Sequence, residues 1–393
     1  MECQIKNIRV HYEIYGEGHP LISLHGFSPD HRLMTGCLEP IFEHRSGWQR
    51  IYPDLPGMGK TPGKAWITNS DQMLDVVLDF IDQVIPGQRF VLAGESYGGY
   101  LARGIIYRRP TVVDGLLLIC PMIIAEHAKR SVPPHVALVE DPGLLSSLEP
   151  SEREEFESLA VVQSPRIWER TRDEVMAGVS IADEDFLTTL QTHGYPFSFD
   201  VDAAPPFEKP TLILVGRQDG IVGYRDAWEI LENYPRGTFA VLDRAGHNLQ
   251  IEQEALFNAL VNEWLDRVEE NLKVLGSICR VISEYQSPYS EPLIIRAGEE
   301  LTMGEKESDW SGWVWCTNRD GKSRWVPEKY VERRGDTCIA LYDYEATELS
   351  VSVGEELVMG KEESGWIWCT NQKGQSGWVP ADYVEKLGKG EKP

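Results

Sequence analysis

Ser96 stands between two glycines in "GESYG" (94–98), Asp219 closes "LILVGRQD" (212–219), and His247 ends "RAGH" (244–247). A serine hydroxyl is a weak nucleophile until a base removes its proton, and an imidazole does so best when a carboxylate fixes its tautomer. With Ser96 as nucleophile, His247 as base and then acid, and Asp219 as orienting carboxylate, the three would run acyl transfer. Serine, acid and histidine also follow in the order expected for a strand–turn–helix nucleophile. The oxyanion of that chemistry needs backbone donors, and the candidates are the amides of Tyr97, after the nucleophile, and of Phe27, at the end of "LHGF" (24–27). His25 in the same stretch reads as a structural residue of its loop. Gly-x-Ser-x-Gly alone also describes a tight turn, and Asp243, just ahead of His247, competes with Asp219. Position at a strand end favours Asp219.

These side chains meet only if the surrounding elements bring them together. "RFVLAG" (89–94) reads as a buried strand and "SYGGYLARGIIYRR" (96–109) as a helix that starts at the serine. A sharp turn between them would present the hydroxyl at the carboxyl edge of a sheet, beside a helix N-terminus that favours negative charge. Apolar runs at 20–27, 49–57, 88–95, 114–121, 210–219 and 237–247 alternate with amphipathic stretches such as 71–85 and 254–272. That alternation over 1–268 predicts an α/β fold, a mostly parallel sheet covered on both faces. Residues 122–205, rich in charge and helix formers, are expected as a helical cap over one end of the sheet. Trp168, Phe186, Tyr195 and Phe197 are its expected pocket walls, and Glu152, Glu154, Glu155 and Glu157 a solvated helix face. "GMGKT" (57–61) lacks the first glycine of a phosphate-binding loop, because Asp54 stands there.

Taken together, "LHGF", "DLPGMGKT", "GESYGG", "GRQD" and "AGH" resemble, in that order, the α/β-hydrolase family over about 1–268. The resemblance implies a doubly wound sheet with a cap and a serine hydrolase needing no metal or organic cofactor. Its substrate would be an ester or amide of a small organic acid, cleaved through an acyl-enzyme. Carboxylesterases, aminopeptidases releasing N-terminal residues and carbon–carbon bond hydrolases share the triad, so the bond cleaved stays open. A carboxylate nucleophile, as in haloalkane or epoxide hydrolases, is disfavoured by Ser96.

The remainder repeats itself. "SGWVWCTNRDGKSRWVPEKYVE" (311–332) returns as "SGWIWCTNQKGQSGWVPADYVE" (364–385), and "AGEELTMG" (297–304) as "VGEELVMG" (353–360). Short β-branched and aromatic runs broken by Gly, Asn and Asp predict two small all-β barrels, 276–334 and 335–387, as beads on a string. The second copy, with "ALYDY", "GW" and "VPADY", resembles the Src-homology-3 family. That resemblance implies a groove for proline-rich peptides formed by Tyr342, Tyr344, Trp366, Pro380 and Tyr383, with Glu345 and Glu348 facing a basic ligand residue. The usual second tryptophan is Ile367 here, with Trp368 one place on. The first copy keeps Trp313, Pro327 and Tyr330 but carries "VISEYQSPYSEPL" in place of the "ALYDY" strand. An interaction protein with an idle hydrolase domain is the rival reading.

Bulk properties exclude other classes. A formal charge of −24 over 393 residues argues against nucleic-acid binding, which needs clustered Lys and Arg. No apolar run reaches membrane-spanning length, and the start shows no export signal. The 7 cysteines are scattered without C-x-x-C spacing, which points to free thiols in a reducing compartment, the cytoplasm, and to no zinc site. Cys316 and Cys369, at equivalent strand positions, read as small buried apolar residues.

Overall fold

The apolar runs of the first unit become strands of one sheet, the central ones burying both faces between helices and the last forming a half-buried edge. The computed structural model describes residues 1–274, 277–289, 292–304 and 311–387, and its contacts group into Met1–Val268 and Glu269–Pro393. In the first unit, β1 (Glu2–Ile5), β2 (Ile8–Tyr15), β3 (His19–Leu24), α1 (His31–Phe42), β4 (Trp48–Pro53), α2 (Ser70–Val84), β5 (Phe90–Glu95), α3 (Tyr97–Arg108) and β6 (Val113–Ile119) precede the cap. β7 (Thr211–Gly216) and β8 (Gly237–Leu242) follow it. The eight strands are ordered β1-β2-β4-β3-β5-β6-β7-β8. From β4 to β8 every pairing is parallel, and the β1–β2 hairpin and β2–β4 pair form the antiparallel edge. β5 and β6 are buried along their whole length, as central strands of such a sheet must be.

Helix starts follow the capping rules: the Asp30 side chain accepts from Arg32 N–H ahead of α1, and Asn69 from Gln72 N–H ahead of α2. α2 turns Met73, Leu74, Val77, Phe80 and Ile81 inward at helical spacing. The cap holds α4 (Pro142–Ser147), α5 (Pro150–Leu159), α6 (Pro165–Arg170), a π-helical turn at Thr171–Met176, α7 (Ala177–Val179) and α8 (Glu184–Gly194). Its only strand-like pairing among the described residues is the isolated Val139–Val162 bridge.

The second unit departs from beads on a string. Its strands are β9 (Ile278–Val281), β10 (Ile294–Ile295), β11 (Glu300–Met303), β12 (Trp313–Thr317), β13 (Ser323–Pro327) and β14 (Val331–Arg334) from the first repeat. The second repeat supplies β15 (Thr337–Ala340), β16 (Tyr344–Glu345), β17 (Glu356–Glu363), β18 (Trp366–Thr370), β19 (Ser376–Pro380) and β20 (Val384–Lys386). One five-stranded sheet runs β13-β12-β11-β15-β14 and the other β19-β18-β17-β9-β20, so the two repeats have exchanged their first strands. β10 and β16 pair across the repeats as well. The barrels therefore do not follow the boundaries 276–334 and 335–387 of the repeats. Residues 276, 290–291 and 305–310 of the first repeat lie outside the described residues.

The cause is the connection between repeats. Only Gly335 and Asp336 separate β14 from β15, and Gly335 sits at φ 68°, a conformation glycine adopts without strain. That tight hairpin holds β15 against β14, with Arg334 opposite Thr337, and leaves no chain to carry it to its own repeat. β9 fills the slot left open, and the two exchanged strands present a buried cysteine at the same register, Cys279 opposite Leu357 and Cys338 opposite Leu301. The exchange brings Cys338 Sγ within 3.7 Å of Cys316 Sγ and sets the Cys279 thiol against Cys369. Mild oxidation of the intact chain followed by peptide mapping is expected to give Cys316–Cys338 and Cys279–Cys369 bonds. Unexchanged barrels would give Cys279–Cys316 and Cys338–Cys369 instead.

Candidate active site

The elbow between β5 and α3 sets the serine. Ser96 adopts φ 51° and ψ −114°, a strained backbone for a residue with a Cβ. The glycines around it permit the crossing: a Cβ on Gly94 would lie 2.5 Å from Gly98 O, and one on Gly98 would lie 2.3 Å from Leu24 O. Only glycine at both positions lets β5, α3 and the end of β3 approach this closely.

Across the sheet edge, the loops after β7 and β8 bring the other two groups. Ser96 Oγ lies 2.9 Å from His247 Nε2, and His247 Nδ1 lies 3.0 Å from Asp219 Oδ2. Asp219 is fully buried, and its other oxygen accepts from Ile221 N–H at 2.8 Å and Val222 N–H at 3.1 Å. Burial opposes its charge, but the imidazole and those two amides hold its pKa below the usual carboxylate value. Burial also opposes the imidazolium, yet Asp219 and then Glu95 raise the His247 pKa to about 9. Asp243 stays outside this constellation and accepts from Gln218 Nε2 at 2.9 Å.

The two candidate oxyanion donors belong to neighbouring segments, since a Cβ on Gly26 would lie 3.2 Å from Ser96 Cβ. Tyr97 N–H opens α3, where no helical acceptor precedes it. The Phe27 ring packs on Tyr97 with centroids 5.3 Å apart, which fixes its loop beside the elbow. His25 is fully buried with both ring nitrogens used: Nε2 accepts from Leu55 N–H at 2.9 Å, so Nδ1 carries the proton to Gly26 O at 2.7 Å. Asp54, where a phosphate loop would need glycine, instead accepts from the backbone N–H of His31 at 3.0 Å and of Lys60 at 2.8 Å.

A cavity of about 690 Å³ opens over Ser96 and His247, walled by Leu33, Met122, Val175, Val179 and Tyr195 among others. Of the four cap aromatics expected there, only Tyr195 lines it. Trp168 packs on Phe156 at 5.3 Å, Phe197 stacks on Tyr100 at 4.2 Å, and Phe186 covers Gly57 and Gly63. The cap's own core and its seat on the sheet claim these rings.

Three charged side chains at the site were not singled out from sequence. Glu95 lies directly before the serine, with Oε1 3.4 Å from His247 Nε2. Arg130 lines the cavity while donating to the carbonyls of Ile124, Ala125 and Ile221. Glu252, in a short helix α9 (Leu249–Glu252), accepts from Gly246 N–H at 2.5 Å and from Val161 and Val162 N–H at 2.6 and 3.0 Å. It thereby ties the histidine loop to the cap. The signal was visible only for Glu95, a carboxylate in the pentapeptide's variable position.

The five residues expected to line a peptide groove are divided by the strand exchange. Tyr342 and Tyr344 pack on Tyr330 of the first repeat at 5.5 and 5.4 Å. Trp366 and Tyr383 flank Tyr285 at 5.4 and 6.1 Å, and Pro380 pairs with Trp366 across β18 and β19. Tyr342, Tyr344 and Trp366 are buried, and Trp366 also packs on Trp313 at 6.2 Å. Cys316 and Cys369 are fully buried, as small core residues.

Residues 21–260 match the family model described as "Alpha/beta hydrolase family", and 278–334 and 340–385 each match a "Variant SH3 domain" model. A pimeloyl-[acyl-carrier protein] methyl ester esterase from Legionella pneumophila (strain Corby) is 25% identical over 268 residues, covering 66% of this chain and 100% of that protein. A 2-hydroxy-6-oxononadienedioate/2-hydroxy-6-oxononatrienedioate hydrolase from Burkholderia vietnamiensis is 27% identical over 277 residues, covering 66% of this chain and 92% of its own. Among solved structures, an alpha/beta superfamily hydrolase from Oenococcus oeni PSU-1 superposes with a TM-score of 0.62 at 31% identity, over 68% of this chain and 99% of that one. No helix among the described residues is long and apolar enough to cross a membrane.

Proposed function

Because this chain belongs to the alpha/beta hydrolase family and is a hydrolytic enzyme, we propose that it is a serine hydrolase cleaving an ester or amide of a small organic acid. Ser96 Oγ attacks the carbonyl carbon as its proton passes to His247 Nε2, and the Phe27 and Tyr97 amides hold the oxyanion. His247 returns that proton to the leaving alcohol or amine, which leaves an acyl group on Ser96. Water then attacks the acyl carbon as its proton passes to His247, and His247 returns that proton to Ser96 Oγ as the Oγ–carbon bond breaks and the acid leaves. The observation that carries this reading is the unbroken Asp219–His247–Ser96 hydrogen-bond chain, at 3.0 and 2.9 Å, on the floor of a largely apolar cavity. A cavity of about 690 Å³ suits a small substrate.

The second unit, in this reading, meets a protein partner through a proline-rich segment. What supports a groove shared between repeats is the contact of Tyr342 of one with Tyr330 of the other, the repeat in which Trp313 stands opposite Pro327. The hydrolase reading is tested by pre-steady-state release of p-nitrophenol from short-chain p-nitrophenyl esters. A burst of one equivalent per chain before the steady rate is the expected result. No ester turnover, with turnover of aminoacyl amides or of a carbon–carbon substrate, would move the bond cleaved.

A further inference from the structure

Glu95 stands directly before the nucleophile, and this mechanism gives it no role. Its side chain is 2% exposed, faces the cavity, and accepts from the Gly26 amide. Its Oε1 lies 3.4 Å from His247 Nε2, the same nitrogen that faces Ser96 Oγ at 2.9 Å. The imidazole thus stands between two carboxylates, Asp219 on Nδ1 and Glu95 on Nε2.

Other ionisable groups bear on this pair from each neighbouring element. Cys120 follows β6 beside Asp219, Arg130 comes from the segment beyond it, and Tyr195 comes from the cap. Arg130 opposes a charge on His247, but its guanidinium is held by three backbone carbonyls. The imidazole is therefore the cation that answers Glu95.

A neutral imidazole has one lone pair, on Nε2 when Nδ1 donates to Asp219. If Glu95 is protonated, its O–H competes with the Ser96 hydroxyl for that lone pair. If Glu95 is ionised and Nε2 protonated, the ion pair holds the imidazolium. Both states contain one proton between Glu95 and His247, and both leave Ser96 without a base.

We propose that Glu95 is a positioning residue for His247: the two share one proton, and Ser96 becomes a nucleophile only when that proton has left the pair. This rests on the reading of Ser96 and His247 as nucleophile and base. Burial pushes Glu95 up to about 7, while Asp219 and Glu95 together hold His247 near 9, so the two titrate as a coupled pair. The sign follows: removing the Glu95 charge withdraws support from the imidazolium, and the base becomes available at lower pH.

The test is the rate at which a fluorophosphonate modifies Ser96 in the full chain, followed from acid to alkaline pH. In that reaction the Oγ–P bond forms, fluoride leaves, and the serine proton goes to His247. The unsubstituted protein is expected to react with a midpoint well above the ordinary imidazole value of 6.5. Glu95→Gln and Glu95→Leu should each lower that midpoint by about one unit, and Glu95→Asp should retain most of the elevation. A midpoint at or below 6.5 in the unsubstituted protein overturns the proposal without recourse to a variant. An elevated midpoint that neither neutral variant moves overturns it as well. A folded, unsubstituted chain that fails to react at any pH instead removes the underlying triad reading, and this proposal with it.

Discussion

Ser96→Ala is expected to lower kcat by on the order of 10⁴- to 10⁶-fold on any substrate the protein hydrolyses. The hydroxyl is the attacking atom, and among the described residues no second hydroxyl is within hydrogen-bond distance of His247 Nε2. Ser28 and Tyr195 reach the cavity, but the 2.9 Å contact to the imidazole belongs to Ser96. Residual rate would come from the oxyanion donors and the cavity acting on bound water. The fold should survive. Alanine keeps a Cβ at φ 51°, so the strain of the elbow is neither relieved nor increased. Steady-state kinetics beside a thermal melt checks both halves of this expectation. A loss of less than tenfold would mean that another group attacks.

Asp219→Asn is the second large effect, about 10⁴-fold in kcat with little change in the melt. Its cause is a tautomer rather than a lost contact. Oδ1 of Asp219 accepts from the amides of Ile221 and Val222, so an asparagine keeps its oxygen there and turns its NH₂ toward His247 Nδ1. Nδ1 must then accept, Nε2 must carry the proton, and the imidazole cannot take a proton from Ser96. Asp243→Asn is the matched control. That carboxylate is exposed, bonds Gln218, and should leave kcat within about twofold, as surface substitutions away from a site do. Equal losses in the two variants would reopen the choice of acid.

The contrast between what was legible and what was not has physical causes. The elbow could be read because strand, serine and helix are contiguous, and the glycines at 94 and 98 report a close approach that local sequence records. Asp219 and His247 could be placed because each lies in the loop after a strand of a parallel sheet, and all such loops share one edge. The cap resisted because its rings have several apolar neighbours to choose from. Phe197 found Tyr100, and Trp168 found Phe156, by packing that no periodicity encodes. Glu95 was in plain view inside the pentapeptide, but its meaning depends on a histidine 3.4 Å away in space and far along the chain.

The strand exchange is the instructive case. Two repeats with interchangeable first strands contain no pattern that says which barrel each strand enters, since every local preference is satisfied either way. The connection decides it, and "RRGDT" (333–337) was there to be read: glycine and aspartate between two short β runs are a two-residue hairpin. A hairpin at that point keeps β15 with β14, and the groove aromatics are redistributed in consequence. Tyr342 then joins Tyr330 of the other repeat, while Tyr383 turns to Tyr285.

The acyl-enzyme is the center of this account, and it can be caught. The protein would be mixed with p-nitrophenyl acetate, quenched in acid during the burst, and digested for peptide mass mapping. One acetyl group on the peptide that carries Ser96, absent from the Ser96→Ala variant, is the result expected. Continued turnover with Ser96 unmodified, or an acetyl group that persists in the variant, would contradict the assignment of Ser96 as nucleophile.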